Sequence, residues 1–258
     1  MILGEIAARH IENRLHVKVD RKLNLGGTLL AHEALVAGAL DLYPEYTGTA
    51  LTAILKKPPA ADPARVLAAV RAEYTARWKL EWLAPLGFDD TFAMVVRGDV
   101  ARREKLVTLS DAAARSSGWT LGVGYEFVQR PDGLAGLTRT YALRLRESPK
   151  TMDLGLLYRA LEQGEVDMVA ANATDGLLAA RDFVVLKDDR GYFPPYEAAF
   201  VARSEALAAH QGLREALAEL SGRLPDRTMR RLNNQVDGEH RRVTDVAEEF
   251  LRQEKLFQ

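Results

Sequence analysis

Helix-like and strand-like hydrophobic patterns alternate along most of this chain, and that alternation restricts the possible folds more than any other feature. Residues 2–15 place apolar side chains on one helical face, and residues 63–78 again have helical periodicity. Strands joined by helices of about ten or more residues are typical of parallel sheets, so the sequence predicts an α/β protein. The predicted strands are HVKVD (16–20), ALDLY (39–43), TFAMVV (91–96), WTLGV (119–123), VDMVA (166–170) and DFVVL (182–186).

A helix with defined ends is predicted at TLLAHEALVAG, residues 28–38. Thr28 would be its N-cap and Gly38 would end it, since threonine caps exposed amides and glycine adopts the left-handed conformation of helix ends. The last part of the chain, from about residue 200, is predicted to be mainly helical. No repeat or low-complexity linker is present, so a two-lobed molecule would need direct strand crossovers instead of a flexible tether.

Composition and charge exclude several classes of function. The chain has 258 residues and a formal net charge of −1, without the basic stripe that nucleic-acid-binding proteins carry. It has no cysteine, and its five histidines never approach the HExxH spacing. We therefore expect no disulfide, no metal, no cofactor and no nucleic-acid partner. No apolar run is long enough to span a bilayer, and we expect no signal peptide because the first residues pass directly into a helical pattern.

Motifs of the common catalytic classes are absent from the sequence. GVGYEF (122–127) comes nearest to a phosphate-binding loop, but it lacks the third glycine and the GK[ST] ending. No GxSxG elbow occurs. Asp188 and Asp189 are adjacent and would point apart on an extended segment, so a solvated loop is a better interpretation than a catalytic pair. The sequence therefore predicts that the protein is not an enzyme.

Aromatic and hydroxyl residues remain, in loops at the ends of predicted strands, where open α/β sheets bind ligands. Prolines beside Tyr43 and Tyr196 would stiffen the backbone and orient the rings. A quaternary ammonium cation needs such a cage, because it has no N–H donor and binds through the ring quadrupole. Packing in the core or in turns is the alternative interpretation for the same side chains. The candidates are Tyr43, Tyr46, Phe92, Tyr192, Phe193 and Tyr196.

The order of several motifs resembles one family, the substrate-binding components of ABC importers for glycine betaine, choline, carnitine and related osmolytes. The similarity spans almost the whole chain, and the combination of YPEYTGT with DDRGYFPPY is its most specific part. The motifs that carry the resemblance are LGGT (25–28), DLYPEYTGTAL (41–51), LGFDDTFAM (86–94), RPDGL (130–134), GEVDMVAANATDG (164–176), VVLKDDRGYFPPYEAA (184–199) and the helical end of the chain (231–257).

The resemblance implies an α/β type II periplasmic-binding-protein fold, in which two lobes joined by two crossover strands close around a ligand by a hinge motion. Crossovers near TFAMVV and EAAFVA would assign residues 1–92 and 200–258 to lobe 1 and residues 93–199 to lobe 2. The family also implies a role in osmoprotection. The chain would deliver a small quaternary ammonium ligand to ABC permease subunits at the periplasmic or extracellular face of the cell membrane.

The same resemblance implies a set of ligand-binding residues. Tyr46 and Tyr196 would be walls of a cation–π cage, with Thr49 as a nearby polar contact. Arg130 would pair with the ligand carboxylate, which suits the fork geometry of a guanidinium group. The remaining predicted ligand-binding residues are Thr28, Phe92 and Asn172.

Three features depart from the family pattern. Phe92 stands where the family usually has tyrosine, and Asn172 replaces a usual cage tyrosine. Because a cation–π wall contributes roughly 0.5–2 kcal/mol, the loss of one would weaken betaine binding roughly 2- to 30-fold. Asn172 could instead bond a group that betaine lacks. The family also has a first strand and a polar turn before residues 2–15, so either the start is truncated or another strand must cover that position.

Three functions are compatible with these residues. The first is a solute-binding protein for a ligand like glycine betaine. The second is a receptor of the same fold for a different small cation or zwitterion, such as ergothioneine or choline. The third is a ligand-sensing regulatory domain, which would need a DNA-binding or signalling segment, and none is visible in the sequence.

Overall fold

The computed structural model describes residues 1–23, 25, 27–130 and 132–257. It divides the chain into two compact units: unit 1 is Met1–Asp90 with Pro195–Gln258, and unit 2 is Thr91–Pro194. The lobes predicted from the sequence divide at 92/93 and 199/200. Within the described residues, no helix combines the length and the apolar character needed to cross a bilayer.

Strands and helices alternate through both units. In chain order the strands are β1 (Leu42–Tyr46), β2 (Leu80–Trp82), β3 (Phe92–Arg97), β4 (Leu121–Val123), β5 (Lys150–Thr151), β6 (Met168–Asn172), β7 (Phe183–Leu186) and β8 (Ala198–Arg203). The helices are α1 (Ile2–Leu15), α2 (Thr28–Val36), α3 (Thr47–Thr49), α4 (Pro63–Trp78), α5 (Gly98–Glu104), α6 (Leu109–Ala113), α7 (Tyr125–Gln129), α8 (Leu134–Tyr141), α9 (Leu154–Glu162), α10 (Leu177–Ala180), α11 (Ser204–Ala209), α12 (Leu213–Ala218), α13 (Asp226–Asn233) and α14 (Val243–Gln253).

Unit 1 is built on a three-stranded sheet in the order β1–β8–β2, and both outer strands run antiparallel to β8. Successive side chains of β8 point to opposite faces, so the strand serves two apolar cores. Phe200 packs with α1, α12 and α14 on one face, and Val201 packs with α2 and α4 on the other. Helix α4 has the bounds predicted for it, because Asp62 caps its first turn and Pro63 fits its first position.

Unit 2 is built on a five-stranded sheet in the order β5–β4–β6–β3–β7. β4 is parallel to β5 and β6, whereas β3 is antiparallel to β6 and β7. Met94 of β3 and Met168 of β6 lie fully buried in one core, and Val95 and Val169 lie in the core on the other face. The antiparallel register places Phe92 directly opposite Asn172.

The expectation of wholly parallel sheets is wrong for β3 and β8. The other strands of each unit run in the same direction: β1 and β2 in unit 1, and β4, β5, β6 and β7 in unit 2. β3 and β8 each follow a passage of the chain from one unit to the other, at 90/91 and 194/195. No crossover helix precedes either strand within its own unit, so nothing forces it to be parallel to its neighbours.

Two local predictions near the start of the chain are also wrong. Residues 16–20 form no strand. A strand needs a hydrogen-bonded neighbour, and a cavity lies between this segment and β1. Gly27, with extended backbone angles, is the N-cap of α2, and Thr28 is the first helical residue. Thr28 is therefore not the N-cap of this helix.

Candidate functional site

The end of β1 and the start of β8 lie side by side in unit 1, because the antiparallel register pairs Tyr46 with Ala198. Two hydrogen bonds extend this pairing beyond β1. The amide of Thr47 donates to the carbonyl of Glu197 at 3.0 Å, and the Thr47 hydroxyl donates to the carbonyl of Pro195 at 3.3 Å. The YTGT turn and the PPY segment are thus held together by hydrogen bonds to main-chain carbonyls, although they are far apart in sequence.

Gly48 makes the closest approach between these two segments. A Cβ atom added to Gly48 would lie 2.6 Å from the carbonyl oxygen of Pro195 and 2.8 Å from a ring carbon of Tyr196. Real side chains do not tolerate such distances, so only glycine fits here. The ring of Tyr196 is accordingly held against the backbone of the turn that follows Tyr46.

Tyr46 is half-buried at the carboxyl end of β1 and contacts the edge of the Phe88 ring, with 6.2 Å between ring centroids. Burial raises the pKa of the Tyr46 phenol, and the nearby carboxylates of Asp90 and Glu45 raise it further. The phenol therefore stays neutral at physiological pH. Thr49 is half-buried in the same turn, one residue beyond Gly48.

Asp89 supports the position of Tyr196, which sequence reasoning did not predict. The amide of Tyr196 donates to Asp89 Oδ1 at 2.8 Å, and the amide of Asp90 donates to the Tyr196 carbonyl at 3.2 Å. Burial raises the pKa of Asp89 to about 6, the amide of Tyr196 opposes this shift, and the Asp226 carboxylate adds to it. The adjacent acids Asp89 and Asp90 in the LGFDDTFAM motif could have indicated this supporting role from the sequence.

Glu45 is a second residue that sequence reasoning missed. Its side chain is buried with only 1% of its surface exposed, accepts a hydrogen bond from the Tyr43 hydroxyl at 2.8 Å and accepts another from the Tyr46 amide at 2.7 Å. Burial raises the pKa of this carboxyl to about 7. Because Tyr43 and Glu45 are two residues apart on a strand, the period of the strand already placed them on one face.

Phe92, Arg130 and Asn172 are the predicted residues that lie in unit 2. Phe92 and Asn172 form a cross-strand pair. The guanidinium carbon of Arg130 lies 5.2 Å from the centroid of the Phe92 ring, and Phe127 contacts that ring edge-on at 4.8 Å. The Phe92 ring therefore already has a cation at its face and a second aromatic ring beside it.

Arg130 lies in a local network of carboxylates. It forms a two-pronged ion pair with Asp132, at 2.9 and 2.8 Å, and its third nitrogen is 3.1 Å from Glu126. Asp132 is buried, whereas the Glu126 side chain is exposed. The network stabilises the turn after α7. It also places two carboxylates, those of Asp132 and Glu126, around the guanidinium group. The predicted pairing of Arg130 with a ligand carboxylate must operate alongside these two acids.

Asn172 is half-buried at the carboxyl end of β6. Its amide N–H donates to Asp175 Oδ2 at 3.3 Å, and the hydroxyl of Tyr158 donates to the same oxygen at 2.7 Å. Asp175 thus orders the turn that follows the strand. The side chain at this position is a carboxamide and has no aromatic ring.

Most of the predicted site residues fall into two groups, one in each unit. Tyr46, Thr49 and Tyr196 lie in adjoining segments of unit 1, and Phe92 contacts Arg130 and pairs with Asn172 in unit 2. Thr28 lies elsewhere in unit 1, on the wall of the cavity beside β1. Two other aromatic candidates, Tyr43 and Phe193, are buried in the cores of their units.

The amino-acid sequence is similar to characterised transport proteins. It is 32% identical to the carnitine transport binding protein OpuCC of Listeria monocytogenes, over 100% of this chain and 84% of that protein. It is 33% identical to the ergothioneine transport permease/ergothioneine binding protein EgtU of Helicobacter pylori, over 97% of this chain but only 45% of that longer protein.

The structure is similar to a crystal structure described as a glycine betaine/carnitine/choline ABC transporter. The TM-score is 0.94 and the sequence identity is 33%, and the match covers 100% of this chain and 95% of the other. This similarity confirms the predicted α/β type II periplasmic-binding-protein fold. A family model described as the substrate binding domain of ABC-type glycine betaine transport systems matches residues 1–253. That family consists of transport components and is not a family of enzymes. The chain belongs to the substrate-binding domains of ABC-type glycine betaine transport systems.

Proposed function

We propose that this chain captures a small quaternary ammonium compound on the extracytoplasmic side of a membrane and delivers it to ABC permease subunits. The arrangement of Tyr46, Gly48 and Tyr196 carries the proposal. Gly48 lies so close to the Pro195 carbonyl and to the Tyr196 ring that an added Cβ would meet them at 2.6 and 2.8 Å, and this packing holds one tyrosine ring against the turn that presents the other. A cation without N–H donors binds to such ring faces, and the rings need little ordering when it binds.

The relatives support a ligand that carries both a quaternary ammonium group and a carboxylate. Carnitine and ergothioneine, the compounds named for two of them, are both trimethylammonium zwitterions. Glycine betaine has the same two groups in the smallest form. We therefore propose glycine betaine or a close analogue as the ligand of this chain, with the unit 1 tyrosines recognising its cationic group.

Arg130 is the residue that we assign to the ligand carboxylate. A guanidinium group has five N–H donors in a rigid fork and can serve more than one acid. Asp132 and Glu126 already accept from it, and their charges oppose a third carboxylate nearby. We infer that this pairing contributes less to betaine affinity than an isolated arginine would.

A second candidate ligand is ergothioneine or another betaine with an additional polar group. The observation that favours it is Asn172, whose carboxamide has two donors and an acceptor but no π face. The variant Asn172→Tyr separates the candidates. If the site is a betaine cage that lacks one wall, the variant should tighten glycine betaine by up to about 2 kcal/mol. If Asn172 recognises a polar group, the variant should abolish ergothioneine binding and change betaine binding little.

Isothermal titration calorimetry with a quaternary ammonium ligand and its carbon isostere tests the proposed function. Glycine betaine and 3,3-dimethylbutanoate have the same shape and the same carboxylate, but the second has carbon in place of the ammonium nitrogen and so has no positive charge. We expect the carbon isostere to bind at least tenfold more weakly, because it loses the cation–π attraction. Equal affinity for the two compounds would contradict an aromatic cage. Choline, carnitine and ergothioneine complete the panel, and ligands that bind only the folded chain should also raise its melting temperature.

A further inference from the structure

Tyr192 makes a polar contact with the turn that carries Arg130, in unit 2. Its ring is half-buried and packs against Phe193, with 5.0 Å between ring centroids. Its hydroxyl donates to the carbonyl of Gly133 at 2.7 Å. Gly133 is the N-cap of α8 and ends the turn that begins at Arg130. A residue singled out for its aromatic ring is thus attached through its hydroxyl to the neighbourhood of the arginine.

The first turn of α8 has space for this phenol because residue 136 is glycine. A Cβ atom added to Gly136 would lie 2.2 Å from the Tyr192 hydroxyl oxygen and 2.8 Å from the ring, so no larger residue fits. Burial raises the pKa of the Tyr192 phenol, and the nearby carboxylate of Asp132 raises it further. The phenol therefore stays protonated at physiological pH and acts as a hydrogen-bond donor.

Residues 132 and 133 hold both the main chain and the side chain of Arg130. The amide of Gly133 donates to the carbonyl of Arg130 at 3.1 Å. The carboxylate of Asp132, the residue before Gly133, accepts two hydrogen bonds from the guanidinium group, at 2.9 and 2.8 Å. A displacement of Gly133 would therefore be passed on to the guanidinium group.

The loop that carries Tyr192 also holds the other end of α8. Asp188 accepts a hydrogen bond from the hydroxyl of Tyr141, the last residue of that helix. The amide of Arg190 donates to the same hydroxyl at 2.9 Å, and the amide of Phe193 donates to Asp188 at 2.8 Å. Since a helix rises 1.5 Å per residue, about 10 Å of helix axis separates the two ends of α8. The Tyr141 hydroxyl is therefore a similar contact of the same loop, far from Arg130.

We propose that Tyr192 is a positioning residue for carboxylate recognition, because its hydroxyl holds the carbonyl of Gly133 and thereby orients Arg130. The amide of Leu137 donates to the same carbonyl at 3.1 Å, but that bond ties Gly133 only to its own helix. A carbonyl oxygen has two lone pairs, and the second bond ties Gly133 to the 188–193 loop. The inference rests on the assignment of Arg130 to the ligand carboxylate in the proposed function.

Tyr192→Phe is the test, because phenylalanine keeps the ring and removes only the hydroxyl. Calorimetry should show glycine betaine affinity reduced about three- to tenfold, the usual effect of one hydrogen bond, and choline affinity within about twofold of the wild type. Gly136→Ala displaces the same hydroxyl from the side of α8 and should have the same selective effect. Tyr141→Phe is the matched control and should change neither affinity.

Arg130→Ala separates a failure of this inference from a failure of the proposed function. In the Arg130→Ala background, Tyr192→Phe should cause no further loss of betaine affinity, since the residue that it positions is gone. If Arg130→Ala weakens betaine binding but Tyr192→Phe and Gly136→Ala do not, the inference is wrong and Arg130 keeps its assignment. Equal losses for betaine and choline in Tyr192→Phe would also overturn it, in favour of general support of unit 2. Unchanged betaine affinity in Arg130→Ala would overturn the inference together with the assignment of Arg130.

Discussion

Each unit buries one carboxylate beside its candidate ligand-binding residues, and the two units stabilise that charge differently. In unit 1, Glu45 receives hydrogen bonds from Tyr43 and Tyr46, and no cation in the described part of the chain is paired with it. In unit 2, Asp132 forms a two-pronged ion pair with Arg130. A buried carboxylate without a cation tends to bind a proton, whereas a paired one keeps its charge and orients its partner.

The difference shows how each group of residues is positioned. Main-chain hydrogen bonds and the absence of a Cβ at Gly48 position the tyrosines of unit 1, so that their geometry depends on packing. Ion pairs position Arg130, and through it the face of Phe92, in unit 2. A substitution that removes a charge in unit 2 should therefore change the positions of Arg130 and the Phe92 ring. In unit 1 it should instead act through the protonation of Glu45.

The largest expected effect is on the pH dependence of stability, and it comes from Glu45. Burial raises the pKa of Glu45 to about 7 from the ordinary 4.5. As pH rises from 4.5 to 7, the unfolded chain loses this proton before the folded chain does, so the free energy of unfolding falls. The total effect is about 3 kcal/mol, since one pKa unit corresponds to about 1.4 kcal/mol.

Urea denaturation at pH 5 and pH 8 checks this expectation in Glu45→Gln. The variant should lose about 3 kcal/mol less stability than the wild type over this interval. Asp89, whose pKa burial raises to about 6, titrates in the same direction but is present in both proteins, so it cancels in the difference. The exposed Glu33→Gln is the matched control and should behave like the wild type. If the free energies of unfolding of wild type and Glu45→Gln change equally with pH, ionisation of Glu45 does not destabilise the folded chain.

Arg130→Ala should have the next largest effect, on ligand discrimination. Loss of a charged hydrogen bond to the ligand weakens binding on the order of 1.5–3 kcal/mol, roughly 10- to 150-fold. Calorimetry should show this loss for glycine betaine and a much smaller one for choline, which has no carboxylate. Equal losses for both ligands would assign Arg130 to support of the 130–133 turn alone.

A control for Arg130 exists on the surface of the same unit. Arg102 forms the same two-pronged pair with Asp182, but both side chains are 65% exposed. Arg102→Ala should change the stability little, because water and salt screen an exposed ion pair. Arg130→Ala should cost more, since it leaves the buried carboxylate of Asp132 without its cation.

Gly48→Ala tests whether packing positions the tyrosines of unit 1. The added methyl group would meet a main-chain carbonyl at 2.6 Å, so the turn or the PPY segment must move. We expect a loss of stability of about 1–3 kcal/mol, together with weaker glycine betaine binding. Gly118→Ala is the control, because a Cβ there meets no atom within 4 Å. If Gly48→Ala binds glycine betaine as tightly as the wild type, the packing of Tyr196 against this turn does not determine ligand recognition.

The smallest expected effects come from the individual rings. Tyr46→Ala and Tyr196→Ala should each weaken betaine binding by about 1–2 kcal/mol, since each removes one π face. The corresponding phenylalanine variants keep the face and should bind nearly as well as the wild type. Tyr125→Ala, which removes an exposed ring, should leave the affinity unchanged. A tyrosine whose alanine variant binds betaine at full strength is not a wall of the cage.

The periodic and local features of the sequence predicted several of the helices. Residues 63–78 form the predicted helix, because their capping signals lie next to the helix itself. The strand at 16–20 was wrong, since alternation reports a face but not whether a partner strand is available. The tight fit of Gly48 on Tyr196 could not be predicted, because it depends on a contact between residues far apart in the chain. The pairing of Arg130 with Asp132, two residues away, was accessible from the sequence and was missed.

The central position of β8 in the sheet of unit 1 has a consequence for the order in which a growing chain can fold. β1 and β2 both need β8 as their neighbour, and β8 is synthesised after the whole of unit 2. Unit 2, a continuous segment, can fold on the ribosome while the first ninety residues still lack their sheet. At typical rates of translation, that delay is on the order of ten seconds. Until β8 is made, the amino-terminal helices have no sheet against which to bury their apolar faces.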